Sequence, residues 1–397
     1  MLKTYRQAFA NLHPSVWKLA ITLFINRSGS MVLLFASLYF TQTLHFTIAQ
    51  AGWVMSMYGV GSILGAYIGG WLTDRYHPRY IMITALLVSS TILLPLCVTT
   101  SPIAAAAIVF LYALTADMFR PANSAAISFY STPETLTRSV SLVRLAINLG
   151  FTVGPAMGGF IAMHLGYQWL FVLDACSGYA AAFMLYKYLP HIEIHKQKDN
   201  TEVKSPSAYT DLPYLFFIGL VAFYGTCFFQ LISSIPQYFK TQSHYAEDII
   251  GLLMALNGLL VVLIEMPIIS KIEHTKFPMR YIICGVFCLT LSYAALYVHQ
   301  GLSTAIIYIV IITLSEVFAM PFMMNFTLSR PTKDRKGQYA ALYSMAYGLS
   351  FIAAPAIGLN IAEQYGFKSL FGVITIASIF LAFGFYSIQK HLQNIRQ

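Results

Sequence analysis

GFTVGPAMGGFIAMHLGYQWLF at 150–171 and LSFIAAPAIGLNIAEQYGFKSLF at 349–371 are two versions of one pattern. Displaced by 200 residues, Pro155 falls on Pro355, Gly158 on Gly358, Gly166 on Gly366, Leu170 on Leu370 and Phe171 on Phe371, and Pro121 falls on Pro321 upstream. Each copy runs from one long apolar block into the next. The chain therefore reads as a duplication, and the question is what surroundings suit the duplicated unit.

Composition answers it. Of 397 residues 57% are hydrophobic and only 10% charged, against roughly 25% charged in a soluble domain. A chain so poor in charge cannot cover a water-facing surface. Its apolar blocks run to about 20 residues, the length that crosses a ~30 Å hydrocarbon core at 1.5 Å per residue. The fold class expected is an all-α membrane protein with twelve transmembrane helices in two pseudo-symmetric six-helix bundles. A secreted domain, a soluble enzyme and an outer-membrane barrel are excluded.

The helices are predicted at 17–40, 49–72, 80–100, 102–128, 139–164, 167–189, 212–236, 247–271, 279–298, 302–327, 338–362 and 367–389. The first block carries Asn26, Arg27 and Ser28 at its centre and no small-residue cleavage site follows it, so it reads as a retained helix and not a cleavable signal. The longest hydrophilic stretch, with HKQKDNTEVKSPS, divides the chain into an N-terminal six-helix half at 1–189, a linker at 190–211 and a C-terminal half at 212–397. Two such halves around a midplane site are the organisation of many secondary transporters.

The formal charge of +9 hints at nucleic acid until its placement is examined. With the N-terminus inside, nineteen of the 24 Lys and Arg fall on inner loops and tails, while only Lys240 and Lys368 lie on outer loops. The positive-inside rule then puts both termini in the cytoplasm of a bacterial inner membrane, and no nucleic-acid partner is expected. The five cysteines all lie inside apolar blocks, which argues against a disulfide framework. Cys284 and Cys288 share a helical face but lack a His or carboxylate partner, and the ten His form no metal spacing. No metal or cofactor is expected.

GGWLTDRYHPRYIMI at 69–83 resembles the G-x-x-x-D-R-x-G-R-R loop of the major facilitator superfamily. Gly70, Asp74, Arg75 and Arg79 match, and His77 stands where the family usually has Gly; KIEHTKFPMRYII at 271–283 is a faded copy that keeps Arg280 but lacks the Asp. A carboxylate and a guanidinium at helix ends can pair with each other and with helix termini, which makes a breakable cytoplasmic latch. Plain positive-inside anchoring explains the arginines but not Asp74 and Gly70. Asp74→Asn is expected to lower transport strongly while leaving the protein folded.

In the fifth predicted helix Gly150, Gly154, Pro155, Gly158 and Gly159 resemble the G-x-x-x-G-P-x-x-G-G motif of the drug:proton antiporter (multidrug efflux) branch. Small residues at i, i+4 and i+8 permit close helix approach, and ordinary helix packing is the competing explanation. Arg120-Pro-Ala-Asn123 partly resembles that branch's R-x-x-Q-G element, with Asn123 and Ser124 in place of Gln and Gly.

Six charges fall inside predicted helices: Arg27, Asp117, Arg120, Arg144, Glu265 and Glu316. Each costs at least ~2.5–3.5 kcal/mol at bilayer depth, so each is a functional candidate unless it serves as a structural ion pair. Counted along the helices at 1.5 Å per residue, Arg27, Asp117 and Glu316 lie about 15–17 Å deep, with Arg120 at about 12 Å and Glu265 and Arg144 at about 8–9 Å. Together with Asn148, one turn from Arg144, they form the expected substrate and proton cavity. Glu316, far in sequence from any basic residue, is the expected proton carrier and Asp117 its ion-paired counterpart. Asp174 is expected near the outer end of its helix, in reach of water.

These readings converge on a proton-coupled secondary transporter working by alternating access. It is expected to act as a monomer in the lipid bilayer, on small-molecule substrates and protons, exporting amphipathic organic compounds. A carrier dedicated to one anionic or zwitterionic metabolite, such as a siderophore or small peptide, is the rival, because three membrane arginines exceed what cationic drugs need. No G-x-x-x-x-G-K-[ST] or catalytic triad occurs, so neither an ATP-driven pump nor an enzyme is expected.

Overall fold

The computed structural model describes residues 12–73, 75–132, 135–190, 208–272, 278–330 and 336–396. Every regular element among them is helical. We number them α1 (Pro14–Gly29), α2 (Val32–Leu38, continued by a π-turn to Thr43), α3 (Ile48–Thr73), α4 (Pro78–Leu93), α5 (Pro102–Asp117), α6 (Phe119–Phe129) and α7 (Leu136–His164). There follow α8 (Gln168–Tyr188), α9 (Leu212–Phe228), α10 (Gln230–Thr241), α11 (Glu247–Ile272), α12 (Pro278–Val298), α13 (Leu302–Ser329) and α14 (Lys336–Arg396).

Eleven of the resulting rods are long and apolar enough to cross a membrane. The last, Gln338–Lys390, holds 53 residues, which at 1.5 Å per residue is about 80 Å and too long for one crossing. Gly366 breaks it at φ 80°, ψ 160°. Two crossings on either side of that glycine bring the total to the expected twelve. Gly166, its partner in the repeat, holds φ 95° between α7 and α8. Both are left-handed backbone positions that a β-carbon disfavours, so the duplicated glycine marks a duplicated turn.

Local chemistry sets several helix ends. The imidazole Nδ1 of His13 accepts from Ser15 N–H at 3.2 Å ahead of Pro14, and that of His77 accepts from Arg79 N–H at 3.1 Å ahead of Pro78. Each histidine thus serves as an N-cap before a proline that needs no partner for its nitrogen. Between α5 and α6 the helix is interrupted at Met118. Pro121 has no N–H to offer the carbonyl of Asp117 four residues back, so the interruption falls directly after that acid.

Large apolar side chains such as Trp17, Tyr67, Phe160, Phe183, Phe380 and Phe383 are exposed on helix surfaces, as hydrocarbon surroundings permit and water does not. Contacts group the chain into two compact units. The first comprises Met1–Phe46, Met57–Lys196 and Tyr245–Val262, and the second Thr47–Ser56, Gln197–His244 and Leu263–Gln397. The first has a core of Val16, Leu19 and Leu23 from α1 packed with Met82 and Leu86 of α4, Phe119 of α6, Val143 of α7 and Leu185 of α8. Of the linker expected at 190–211, residues 191–207 lie outside the described residues.

Candidate functional site

Polar side chains inside the first unit converge on a cavity of ≈ 30 Å³, room for about two waters. Arg27 and Asn26 reach it from the last turn of α1, Tyr58 from α3, Ser89 and Ser90 from α4, Tyr112 and Asp117 from α5, and Asp174 from α8. The rings of Tyr58 and Tyr112 lie 6.3 Å apart beside the two acids. In a helix bundle with a mostly aliphatic core this is a concentrated polar patch, and its charges decide what it can do.

Asp117 is 3% exposed. Ser62 Oγ donates to its Oδ2, and Arg120 Nε lies 3.1 Å from its Oδ1. The two are spaced i and i+3, so although α5 gives way to α6 between them they remain neighbours. Arg120 keeps 52% of its side chain exposed. Asp117 therefore has a polar partner on each of its two oxygens.

Arg27 is held differently. Its guanidinium lies 5.6 Å from the centre of the Phe151 ring, and its buried Nε has no hydrogen-bond partner. The glycine motif explains how α7 comes so close. A β-carbon on Gly150 would stand 2.5 Å from Cβ of Arg27, one on Gly154 3.1 Å from the Arg27 carbonyl oxygen, and one on Gly158 3.0 Å from Cβ of Met31. The i, i+4, i+8 stripe is the seat of the Arg27 helix. Gly159 and Pro155 turn the other way: a β-carbon on Gly159 would meet the Glu247 carbonyl at 2.4 Å, and the Pro155 carbonyl faces Gly251.

Asp174 is the site residue that sequence depth mislocated. It is 5% exposed, not in reach of outer water, and it lines the same cavity as Arg27 and Asp117. Val32 N–H, at the start of α2, donates to its carboxylate and Arg27 supplies the opposing positive charge, while its Oδ2 has no partner. The break at Ser30–Met31 makes this possible: it exposes a fresh helix N-terminus, whose amides favour an anion, inside an otherwise continuous span.

The remaining expected residues lie elsewhere. Arg144 is exposed and Asn148 half-buried on α7, and neither lines the cavity. Glu265, 4% exposed, and the half-buried Glu316 belong to the second unit. Glu316 lies within electrostatic reach of Tyr224 and Tyr347, the first of which is hydrogen-bonded to Ser315 at 2.9 Å. Gln230, which the sequence reading passed over, is 2% exposed and donates to the Ala354 carbonyl at 2.9 Å. Its amide fills the space a β-carbon on Gly358 would need, so Gly358 admits α10 much as Gly158 admits the α1–α2 span.

Of the expected gate, Asp74 lies outside the described residues. Arg75 is exposed, its guanidinium 3.7 Å from the centre of the Trp71 ring, and Gly70 has open space where a β-carbon would stand. Arg79 Nη2 donates to the Tyr186 carbonyl at 2.6 Å, tying the start of α4 to the end of α8.

Twelve crossings, a duplicated sequence and polar residues gathered at depth are joined by a family match: the profile of the Major Facilitator Superfamily fits residues 19–355. The chain belongs to that superfamily. Among its relatives in the superfamily, an uncharacterised MFS-type transporter, YqjV of Bacillus subtilis (strain 168), is 23% identical over 401 residues and 97% of each chain is covered. A Na(+), Li(+), K(+)/H(+) antiporter of Planococcus maritimus is 22% identical, with 94% of this chain and 95% of that one covered. The fold is shared with the nucleoside transporter NupG at a TM-score of 0.78 and 15% identity, over 94% of this chain and 99% of that one. The protein is thus a multi-pass secondary transporter of that superfamily.

Proposed function

We propose that this superfamily member is a proton-coupled antiporter of the bacterial inner membrane, with both termini cytoplasmic, that exports amphipathic organic compounds by alternating access. The observation that carries the reading is the cavity in which Asp117, Asp174 and Arg27 face one another. Two carboxylates and a guanidinium inside a helix bundle are costly to bury, and a transport cycle that adds and removes a proton gives them a use. The antiport performed by the Planococcus relative supports proton exchange, and the helix-α7 motif Gly150, Gly154, Pro155, Gly158 and Gly159 supports the exporting branch. The distribution of Lys and Arg supports the orientation.

A second reading, a carrier for one anionic or zwitterionic metabolite, draws support from Arg120, whose side chain is 52% exposed beside the cavity. Reconstitution in proteoliposomes with an imposed pH gradient separates the two. Acid-driven movement of lipophilic cationic dyes is the expected result. Movement confined to anionic or zwitterionic metabolites selects the second reading, and transport indifferent to the gradient sinks proton coupling in both.

A further inference from the structure

The two acids of the first unit's cavity are not equivalent. Asp117 already has a partner on each oxygen, Arg120 Nε beside Oδ1 and the Ser62 hydroxyl on Oδ2. Asp174 lines the cavity with one donor, Val32 N–H, and a buried Oδ2 that has no partner. A proton on that oxygen breaks no existing bond and gives it a donor.

Resting on the proton-coupled reading, we propose that Asp174 is the proton-binding residue of this transporter, with Arg27 as its switchable counter-ion and Asp117, held by Arg120 and Ser62, as a fixed anchor. The groups facing Asp174 are Arg27 from α1, Tyr58 from α3, Tyr112 and Asp117 from α5, and Arg120 beyond Asp117, with the uncharged Ser89 and Ser90 contributed by α4. With both acids ionised the formal charges of Arg27, Asp117, Arg120 and Asp174 cancel. A hydronium that enters gives its proton to Asp174 Oδ2 and leaves as water; Arg27, always protonated, does not release one in return. The cavity then holds one net positive charge, and Arg27 has lost its opposing anion. That excess is centred on the helix seated against Gly150 and Gly154, so proton binding bears directly on the α1–α7 contact. The assignment moves the proton from Glu316, where sequence depth put it, to an acid six residues into α8.

The test needs no transported substrate. Infrared difference spectra of the full-length protein in lipid nanodiscs, titrated from neutral to alkaline pH, above the range in which exposed carboxylates titrate, report the C=O stretch of a carboxylic acid still protonated there. A titrating band is expected in the wild type and in Glu316→Gln, lost in Asp174→Asn, and present at a displaced frequency in Asp174→Glu. A band that survives Asp174→Asn unchanged, one that disappears in Glu316→Gln, or identical spectra for Asp174→Glu and wild type would overturn the assignment. Ethidium efflux from proteoliposomes under a pH gradient is measured in parallel. If the wild type moves no ethidium while the Asp174 band titrates, the drug-export reading fails and the proton site stands.

Discussion

A methyl group on Gly150 would stand 2.5 Å from Cβ of Arg27, closer than packed carbon atoms come. The small residue is thus a requirement of the neighbouring helix and not of its own. Gly150→Ala is expected to push α1 away and to cost about 1–3 kcal/mol, the usual range for overpacking. Gly70, also a motif glycine, has nothing within 4 Å of where a methyl group would stand, and Gly70→Ala should leave stability unchanged or raise it by up to about 1 kcal/mol through helix propensity. Thermal unfolding of both variants in one detergent checks the contrast; equal losses would refute the packing account of Gly150. A transport defect in Gly70→Ala, with stability intact, then reports on gating alone.

In the second unit Arg330 grips Asp211 with two bonds, Nε to Oδ2 at 2.6 Å and Nη2 to Oδ1 at 2.8 Å, while Tyr339 donates to the same carboxylate at 2.9 Å and Tyr214 N–H at 3.2 Å. Partial burial pushes the Asp211 carboxyl up, and these donors with the Arg330 charge more than reverse it, leaving it below the usual carboxylate range. The group is depressed in the folded state, so its stabilisation is complete above the unfolded value of about 3.9 and is lost as pH falls through the lower folded value. Arg330→Gln should cost about 1.5–3 kcal/mol at neutral pH, a gap that holds down to about pH 4 and closes below it. A gap that persists unchanged into strong acid would show that the guanidinium acts through packing and not through the carboxylate.

Legibility in the sequence followed the physics of each feature. Helix lengths, the duplication and the paired turns at Gly166 and Gly366 are one-dimensional facts, and they were readable because apolar length and left-handed glycines leave a periodic record. Arg27, Asp117 and Arg120 announced themselves by the cost of their charge. Asp174 was underestimated because distance along a helix says nothing about which way a side chain faces. The donor that meets it, Val32 N–H after the helix break at Ser30–Met31, lies inside a 30-residue apolar span. Tyr58 and Tyr112 were hidden among 26 tyrosines. Glu316, which sequence depth sets level with Arg27, belongs to the second unit.

Tyr167, at the turn before α8, donates its hydroxyl to Glu247 Oε1 at 2.7 Å. Burial, joined by that bond and by the glutamate's charge, pushes the phenol well above its ordinary range, so it remains a donor throughout physiological pH. The bond joins the α7–α8 turn to the first turn of α11, where Gly159 also meets the Glu247 backbone. Tyr167→Phe removes the donor and leaves the ring, at an expected cost of about 1.5–3 kcal/mol for a bond to a charged acceptor. Faster hydrogen exchange confined to the first turns of α11 should accompany it. Exchange that accelerates across the whole chain would mean that the bond supports global stability and not this local seam.

Pro121 withholds the N–H that would bond the Asp117 carbonyl, and α5 ends at that residue while α6 starts at Phe119. The offset lets Asp117 face Ser62 and the cavity while Arg120, on the next helix, reaches back to the same carboxylate. Pro121→Ala restores both the donor and a residue of high helix propensity, so the fold should hold or gain stability, a gain bounded by the ~3 kcal/mol that an interior proline costs. Straightening, however, changes the direction of Asp117 relative to Arg120 and loosens their contact. Slower pH-driven transport is then expected. A stable Pro121→Ala protein with wild-type transport would show that the break has no part in the work of the acid.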